Sequence, residues 1–481
     1  MSDSAVSDPK IQLRRAMGFW DVLLFNIAAV LGPRWIAAAA HNGTSSISLW
    51  VLAAILFFLP TALIVAELST RFPSEGGLYI WAKEAFGEFH GFITGWTYWV
   101  YTFFYFPGLL FASAAMAAYV GGERTAHLAQ ERTFLLVVSI LMLGAAVWLN
   151  IIGLNIGKWL QNAGGVGTYV PLLMLIALGA YLWHLHGSMT QFTTRNIMPV
   201  WNWDTVNFWP QFAFAFTALE LCSTMSEEVR DPHKTFPRAI LGSGVLIALA
   251  YILGTIALLA IVPADTVDPK SGVFQALTTG SAALKVAYFG IVAAFLVLFG
   301  NAGGVGTTVA GVARIPFVVG IDRYMPAAFG KIHSKWKTPW VSILVQAGIS
   351  AVVLLLAQLK ENPNDAYQML VDAGTILYFV PFLYMYAAAI KLAYRSDRSA
   401  AGNAALVPGG KFGVWIAGIF GTIVVAAGIA LSLIPPGGAE SPWRFEGKVV
   451  IGTVGSFLLG LILYRRGARA KSREAAHVAA D

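Results

Sequence analysis

Apolar residues run through this chain in long blocks, and polar residues gather in the short gaps between them. A helix that crosses a bilayer needs roughly 20 apolar residues. Twelve blocks reach that length, at about 17–41, 47–67, 91–120, 133–152, 158–184, 207–228, 237–262, 283–312, 339–358, 366–391, 412–435 and 446–464. The pattern predicts an all-α integral membrane protein with 12 transmembrane helices. Two of the blocks are faulted. The first reads FNIAAVLGPRWIAAAAHNG, with Gly32, Pro33 and Arg34 side by side at mid-span. The sixth reads FWPQFAFAFTALELCSTMSEEVRDP and carries Glu220 inside its apolar run, just after Thr217 and Ala218. On insertion scales an ionised side chain at that depth costs about 2.5–3.5 kcal/mol.

Spans 1 and 6 are corresponding members of two five-helix halves, 1–5 and 6–10. Paired interruptions at matching positions point to an inverted repeat and to a transporter. Breaking a helix frees backbone N–H groups on one half and C=O groups on the other. In lipid these survive only where they line a cavity. The N–H end suits an anion and the C=O end a cation, so a site built from both suits a zwitterion. The plainer reading is a Gly-Pro packing kink beside a structural Arg34–Glu220 ion pair. Both readings of Arg34 stand at this point: direct contact with a substrate carboxylate, or pairing with Glu220.

Composition narrows the picture. Of 481 residues, 57% are hydrophobic and only 12% charged, where soluble domains average about a quarter charged. With the N-terminus placed in the cytoplasm, 23 of the 32 basic residues fall in inner segments and 7 in outer loops; Arg34 and Lys285 lie within spans. That bias predicts a multi-pass protein of the cell membrane with both termini cytoplasmic. The net charge of +7 is distributed along these inner segments, so it does not signal nucleic acid. The one cysteine, Cys222, makes no intrachain disulfide. The first 16 residues are polar and lack a short apolar core with a small-residue cleavage site, so no cleaved signal peptide is expected. The expected organisation is a cytoplasmic tail (1–16), an inverted-repeat transport core (17–392), helices 11 and 12 (393–465) and a second cytoplasmic tail (466–481).

Four further stretches carry a family resemblance: ELSTRFPSEGGLYIWAKEAFGEFHGFITGWTYW (67–99), EEVRDPHKTFPRAI (227–240), ARIPFVVGIDRYMPAAFGKIHSKWKTP (313–339) and LVPGGKFG (406–413). In this order they resemble the amino acid–polyamine–organocation transporter superfamily. The resemblance implies a LeuT-like fold of ten helices in a 5+5 inverted repeat, with discontinuous helices 1 and 6 and two peripheral helices. It implies alternating access and an amino acid or related amine as substrate. It places the substrate carboxylate at Gly32, Pro33, Arg34, Trp35 and Ile36, and the amino group near Phe214, Phe216, Thr217, Ala218 and Glu220. Phe214 matches a gating aromatic, and Tyr98 a substrate-site tyrosine on helix 3. Two departures stand out. Most of the superfamily has Gly-small-Gly where this chain has Gly-Pro-Arg-Trp, which makes it most similar to the glutamate:GABA antiporter branch. Some proton-coupled members carry a lysine midway along helix 5, where this chain reads GGVGTYVPLL; Lys158 lies at the start of that helix. Exchange therefore becomes the expected mode, with proton- or sodium-coupled uptake as the alternative and a non-transporting amino acid sensor behind both.

The heptapeptide NAGGVGT occurs twice, at 162–168 and 301–307. It lacks the lysine of a phosphate-binding loop and sits inside apolar helices, so it is no nucleotide site. Its small-xxx-small faces predict close helix packing around the inner half of helix 1. Asn301 and Thr307, with Thr308, are candidates for a sodium site there. Asp372 reads as an interfacial cap or as an outer gate or proton site, and Tyr378 as a gating or coupling candidate. Glu227, Glu228, Arg230 and Arg238 read as a cytoplasmic gate or as solvated charges. The aromatics of span 3 read mostly as packing, with Tyr98 and Tyr101 as candidate lining. There is no catalytic triad, HExxH or CxxC, so no enzyme, metal or cofactor is expected. The expected partners are an amino acid substrate and the lipid bilayer, with a monomer or homodimer as the assembly.

Overall fold

The computed structural model describes residues 16–199, 206, 208–269, 271–322, 324–358, 363–395, 406–434 and 442–478. The predicted N-terminal tail therefore falls almost wholly outside the described residues, and the C-terminal tail largely within them. Within them the chain is helical, apart from one isolated bridge between Met17 and Val229. Ten helices are long and apolar enough to cross a membrane. Span 9 is present as a shorter apolar helix, and span 6 is missing from the ten because it is broken in two.

Span 1 is also two pieces, α1 (Phe19–Val30) and α2 (Pro33–His41). There follow α3 (Ser45–Arg71), a short surface helix α4 (Leu78–Phe86), α5 (Glu88–Gly121), α6 (Arg132–Ile152) and α7 (Leu154–His186). Span 6 comprises α8 (Trp209–Ala215) and a 3₁₀ segment, Leu219–Glu228. Then come α9 (Pro232–Ile261), α10 (Gly272–Ala283), α11 (Ala287–Val312), α12 (Arg314–Ile321), α13 (Trp340–Gln358), α14 (Pro363–Leu392), α15 (Gly410–Leu431) and α16 (Pro442–Val478). Span 8 starts later than the expected residue 283, because Lys285 adopts a positive φ of 58° and separates α10 from α11. At the other end, α16 runs on past residue 464, so the described part of the expected C-terminal tail is helical. Lys471 on this extension pairs with Glu88 at the start of α5, 3.0 Å away.

Burial separates a core from a periphery. In span 1, 78% of the apolar window is buried, against 17% in the last helix. Span 1 is central because α7, α9 and α11 surround it. The two NAGGVGT copies are the reason α7 and α11 approach so closely. A Cβ on Gly164 would lie 2.5 Å from Cα of Gly303, and one on Gly167 would lie 2.9 Å from the amide of Gly300. The same faces receive α1: Gly165 lies against the carbonyl of Leu24, and Gly304 against that of Ala28. Small residues let these backbones touch, and van der Waals contact replaces the hydrophobic drive that lipid cannot supply.

Overpacking this seam costs about 1–3 kcal/mol. Gly164→Val is therefore expected to lower the thermal midpoint in detergent. Gly144→Ala, on α6 where an added Cβ meets nothing within 4 Å, serves as control. Equal midpoints for the two variants would contradict the close-packed seam.

Candidate functional site

The break in span 1 is two residues long. Leu31 and Gly32 are extended, at φ/ψ of −75°/109° and −118°/118°. Pro33 then restarts the helix at its first position, where a missing N–H costs nothing. Gly32 has no room for a side chain, since a Cβ would sit 2.9 Å from the Trp35 ring. In span 6, α8 ends at Phe216 and the chain turns through Ala218, which holds a left-handed φ of 79°. That conformation costs a non-glycine residue about 1–2 kcal/mol, and such strain gathers at functional sites.

One side chain ties the two breaks together. The hydroxyl of Tyr251, on α9, accepts the N–H of Gly32 at 3.2 Å. Its single proton lies between the carbonyls of Val30, at 2.7 Å, and Ala215, at 3.0 Å. Trp50 of α3 stacks flat on the Tyr251 ring, with centroids 4.4 Å apart, and anchors itself on Thr255 through its indole N–H.

Between the breaks lies a small cavity lined by Val30, Trp35, Tyr105, Phe214, Thr217 and Tyr378 among others. A second small cavity adjoins it across Trp35 and Tyr105, and is lined by Gly32, Arg34, Met116 and Asn301 among others. Trp35 and Phe214 meet edge to face at 5.6 Å on the side away from the termini. On the side of the termini, Glu220 accepts hydrogen bonds through one oxygen from Tyr98, at 2.8 Å, and Tyr378, at 2.5 Å. Its other oxygen is buried with no hydrogen-bond partner.

Arg34 and Glu220 do not pair. Among the described residues Arg34 makes no ion pair; its guanidinium lies over the rings of Trp35, at 4.4 Å, and Tyr105, at 5.3 Å. It is only 4% exposed, so a buried positive charge at the start of α2 is held by aromatic faces alone.

The sequence profile of the amino acid permease family matches residues 17–455. The chain belongs to that family. It is 28% identical to an uncharacterized transporter of Legionella pneumophila, over 88% of this chain and 90% of the relative. It is 26% identical to the serine/threonine exchanger SteT of Bacillus subtilis, over 78% and 83%. It is 23% identical to a probable agmatine/putrescine antiporter, AguD, of Lactococcus lactis, over 79% and 80%. Among solved structures, MhsT in complex with L-phenylalanine matches with a TM-score of 0.64 at 13% identity, covering 87% of this chain and 99% of that one. The fold of this permease is therefore LeuT-like, and the protein is a multi-pass membrane transporter of the amino acid–polyamine–organocation superfamily.

The permease brings most of the sequence candidates together. Gly32, Arg34, Trp35, Phe214, Thr217, Ala218 and Tyr378 line the two cavities, and Asn301 joins Arg34, with only the soft sulfur of Met116 as its amide acceptor. Two candidates point elsewhere. Ile36 is fully buried against Gly254 of α9. Phe216 packs between Trp50, Phe58 and Tyr251. Thr307 is buried with its hydroxyl unpartnered, and Asp372 is buried on α14. The side chain of Lys158 lies outside the described residues. Tyr105 was expected in packing and instead lines both cavities. Tyr251 and Trp50 were missed altogether, since nothing in an apolar helix marks one tyrosine as a backbone partner.

Tyr251→Phe removes only the hydroxyl and leaves three backbone groups at the breaks with one partner fewer. A stability loss of about 1–3 kcal/mol is expected, read as a lower thermal midpoint. An unchanged midpoint would show that the breaks do not depend on this residue.

Proposed function

We propose that this permease exchanges amino acids across the cytoplasmic membrane by alternating access, with both termini in the cytoplasm and residues 17–392 as the transport core. The observation that carries the reading is the cavity between the two helix breaks, flanked by the Trp35–Phe214 contact and by the Tyr98–Glu220–Tyr378 cluster. A substrate carboxylate fits the start of α2, where the guanidinium of Arg34 adds full charge to the partial charge of the helix end. The substrate ammonium fits the carbonyl-rich turn at Phe216–Ala218, on the side of Glu220. The buried charge of Arg34 disfavours dications such as putrescine and favours substrates with a carboxylate, acidic amino acids above all. Exchange rather than ion-coupled uptake is supported by the names of two relatives, an exchanger and a probable antiporter.

The test is counterflow in proteoliposomes preloaded with each of the twenty amino acids or GABA, with and without sodium and pH gradients. Preloaded substrate is expected to drive uptake with no gradient present, and putrescine is expected to fail. Uptake that needs a gradient and no preload would replace exchange with coupled transport. Binding without counterflow would mark a sensor.

Arg34→Lys keeps the charge but loses the planar fork that matches a carboxylate. It is expected to weaken substrate affinity about tenfold or more, equivalent to about 1.4 kcal/mol, at an unchanged thermal midpoint. Unchanged affinity would remove Arg34 from the substrate contact.

A further inference from the structure

A second buried ionic group lies away from the cavity, where the 3₁₀ segment ends. Glu75 comes from the turn between α3 and α4, Glu228 from the end of the 3₁₀ segment and Arg314 from the start of α12. Their exposures are 1%, 4% and 3%. Nε of Arg314 lies 2.5 Å from Oε1 of Glu228 and 3.4 Å from Oε1 of Glu75. The same guanidinium donates to the carbonyl of Ala310. Oε2 of Glu75 accepts the N–H of Glu227 at 3.2 Å, and the Glu227 carboxylate accepts the N–H of Glu75 at 3.4 Å. Oε1 of Glu75 accepts no hydrogen bond.

Among the described residues the buried charges of Glu75, Glu228 and Arg314 do not balance. Two buried carboxylates share one guanidinium, and Glu227 stands at the edge as a third acid. These three, Glu227, Glu228 and Arg314, are the charged groups that face Glu75 among the described residues. Two carboxylates in one dry site cannot both stay ionised without cost. Burial, and next the charge of Glu228, push the Glu75 carboxyl well above the usual carboxylate range.

Contacts between several segments on the termini side gather around the cluster. The backbone N–H groups of Ala16 and Met17 donate to the carbonyl of Glu228, and that of Arg230 donates to Met17. The N–H of Gly76 donates to the carbonyl of Thr224, and Gly77 lies against Ser223 with no space for a Cβ. The Thr224 hydroxyl reaches the carbonyl of Gly311 on α11, 2.9 Å away.

We propose that Glu75 is a proton-binding site that latches the termini side shut. With its proton in place, the cluster is one neutral acid, one carboxylate and one guanidinium, which is stable when buried. Without the proton the excess negative charge is relieved by opening to water. The proton is taken from and returned to the solution on the termini side, so none crosses the membrane. A water-exposed glutamate titrates near about 4.3, and the closed state holds its proton at higher pH. The proton's contribution to closure is whole below the ordinary value and is lost as pH rises through the raised one. Between the two values the closed-to-open ratio falls about tenfold per pH unit.

The test is hydrogen–deuterium exchange of the purified full-length protein in nanodiscs, followed by mass spectrometry across pH 5–9, with rates corrected for intrinsic exchange. It reads opening directly and needs no transport, so it stands whether or not exchange of amino acids is confirmed. Peptides covering residues 219–230 are expected to lose protection as pH rises. Glu75→Gln, which mimics the protonated acid, is expected to keep them protected at every pH. Glu227→Gln leaves the Arg314–Glu228 pair intact and removes one repelling charge, so it is expected to move the fall to lower pH; it serves even if Glu75→Gln folds poorly. A flat native profile, or the native profile in both variants, would overturn the proposal.

Discussion

The structure turns on a hydroxyl group. Two helices give up their backbone ladders at mid-depth, and lipid supplies no substitute partners. Tyr251 meets the break of span 1 and the break of span 6 with the same oxygen. A phenol has one proton and two lone pairs, so the carbonyls of Val30 and Ala215 share one donor while the N–H of Gly32 takes an acceptor. The breaks are therefore coupled: a movement of either one redistributes the bonds of the other. Trp50, stacked flat on the ring and fixed by Thr255, keeps the hydroxyl where both breaks can reach it.

The rest of the site follows from keeping charges apart. Had Arg34 and Glu220 paired, each would have cancelled the other and the cavity would offer a zwitterion little. Instead Arg34 rests on the rings of Trp35 and Tyr105, and Glu220 is held by the hydroxyls of Tyr98 and Tyr378. Arg34 lines the adjoining cavity, and Glu220 stays apart from it behind Tyr378. Around the site, the paired glycine faces of α7 and α11 bring their backbones against α1, and Asn162 of α7 bonds Asp21 of α1.

The fold was legible in the sequence because membrane crossing imposes a length and a composition on every helix. Gly32, Pro33 and Glu220 were legible because each breaks a rule of that environment, and rule-breaking in lipid is costly enough to need a reason. The NAGGVGT repeat was legible as packing because small residues at that spacing have few other uses in a membrane. Tyr251, Trp50 and Tyr105 were not, since an aromatic residue in an apolar helix breaks no rule and its partners lie scores of residues away. The exact turn in span 6 was hidden for a related reason: Ala218 is an ordinary helix former, and only tertiary packing holds it at a positive φ. Glu75 and Arg314 were not singled out, because the sequence carries no sign that both become buried.

The central claim is that the two breaks form one amino acid site with Arg34 at its carboxylate end. The most direct measurement is a cryo-EM structure with the best counterflow substrate bound. The account predicts density in the cavity between α2 and the Phe216–Ala218 turn, with the carboxylate on Arg34 and the ammonium on the Glu220 side. Substrate density elsewhere, or in the cavity with Arg34 turned away from it, would contradict the account.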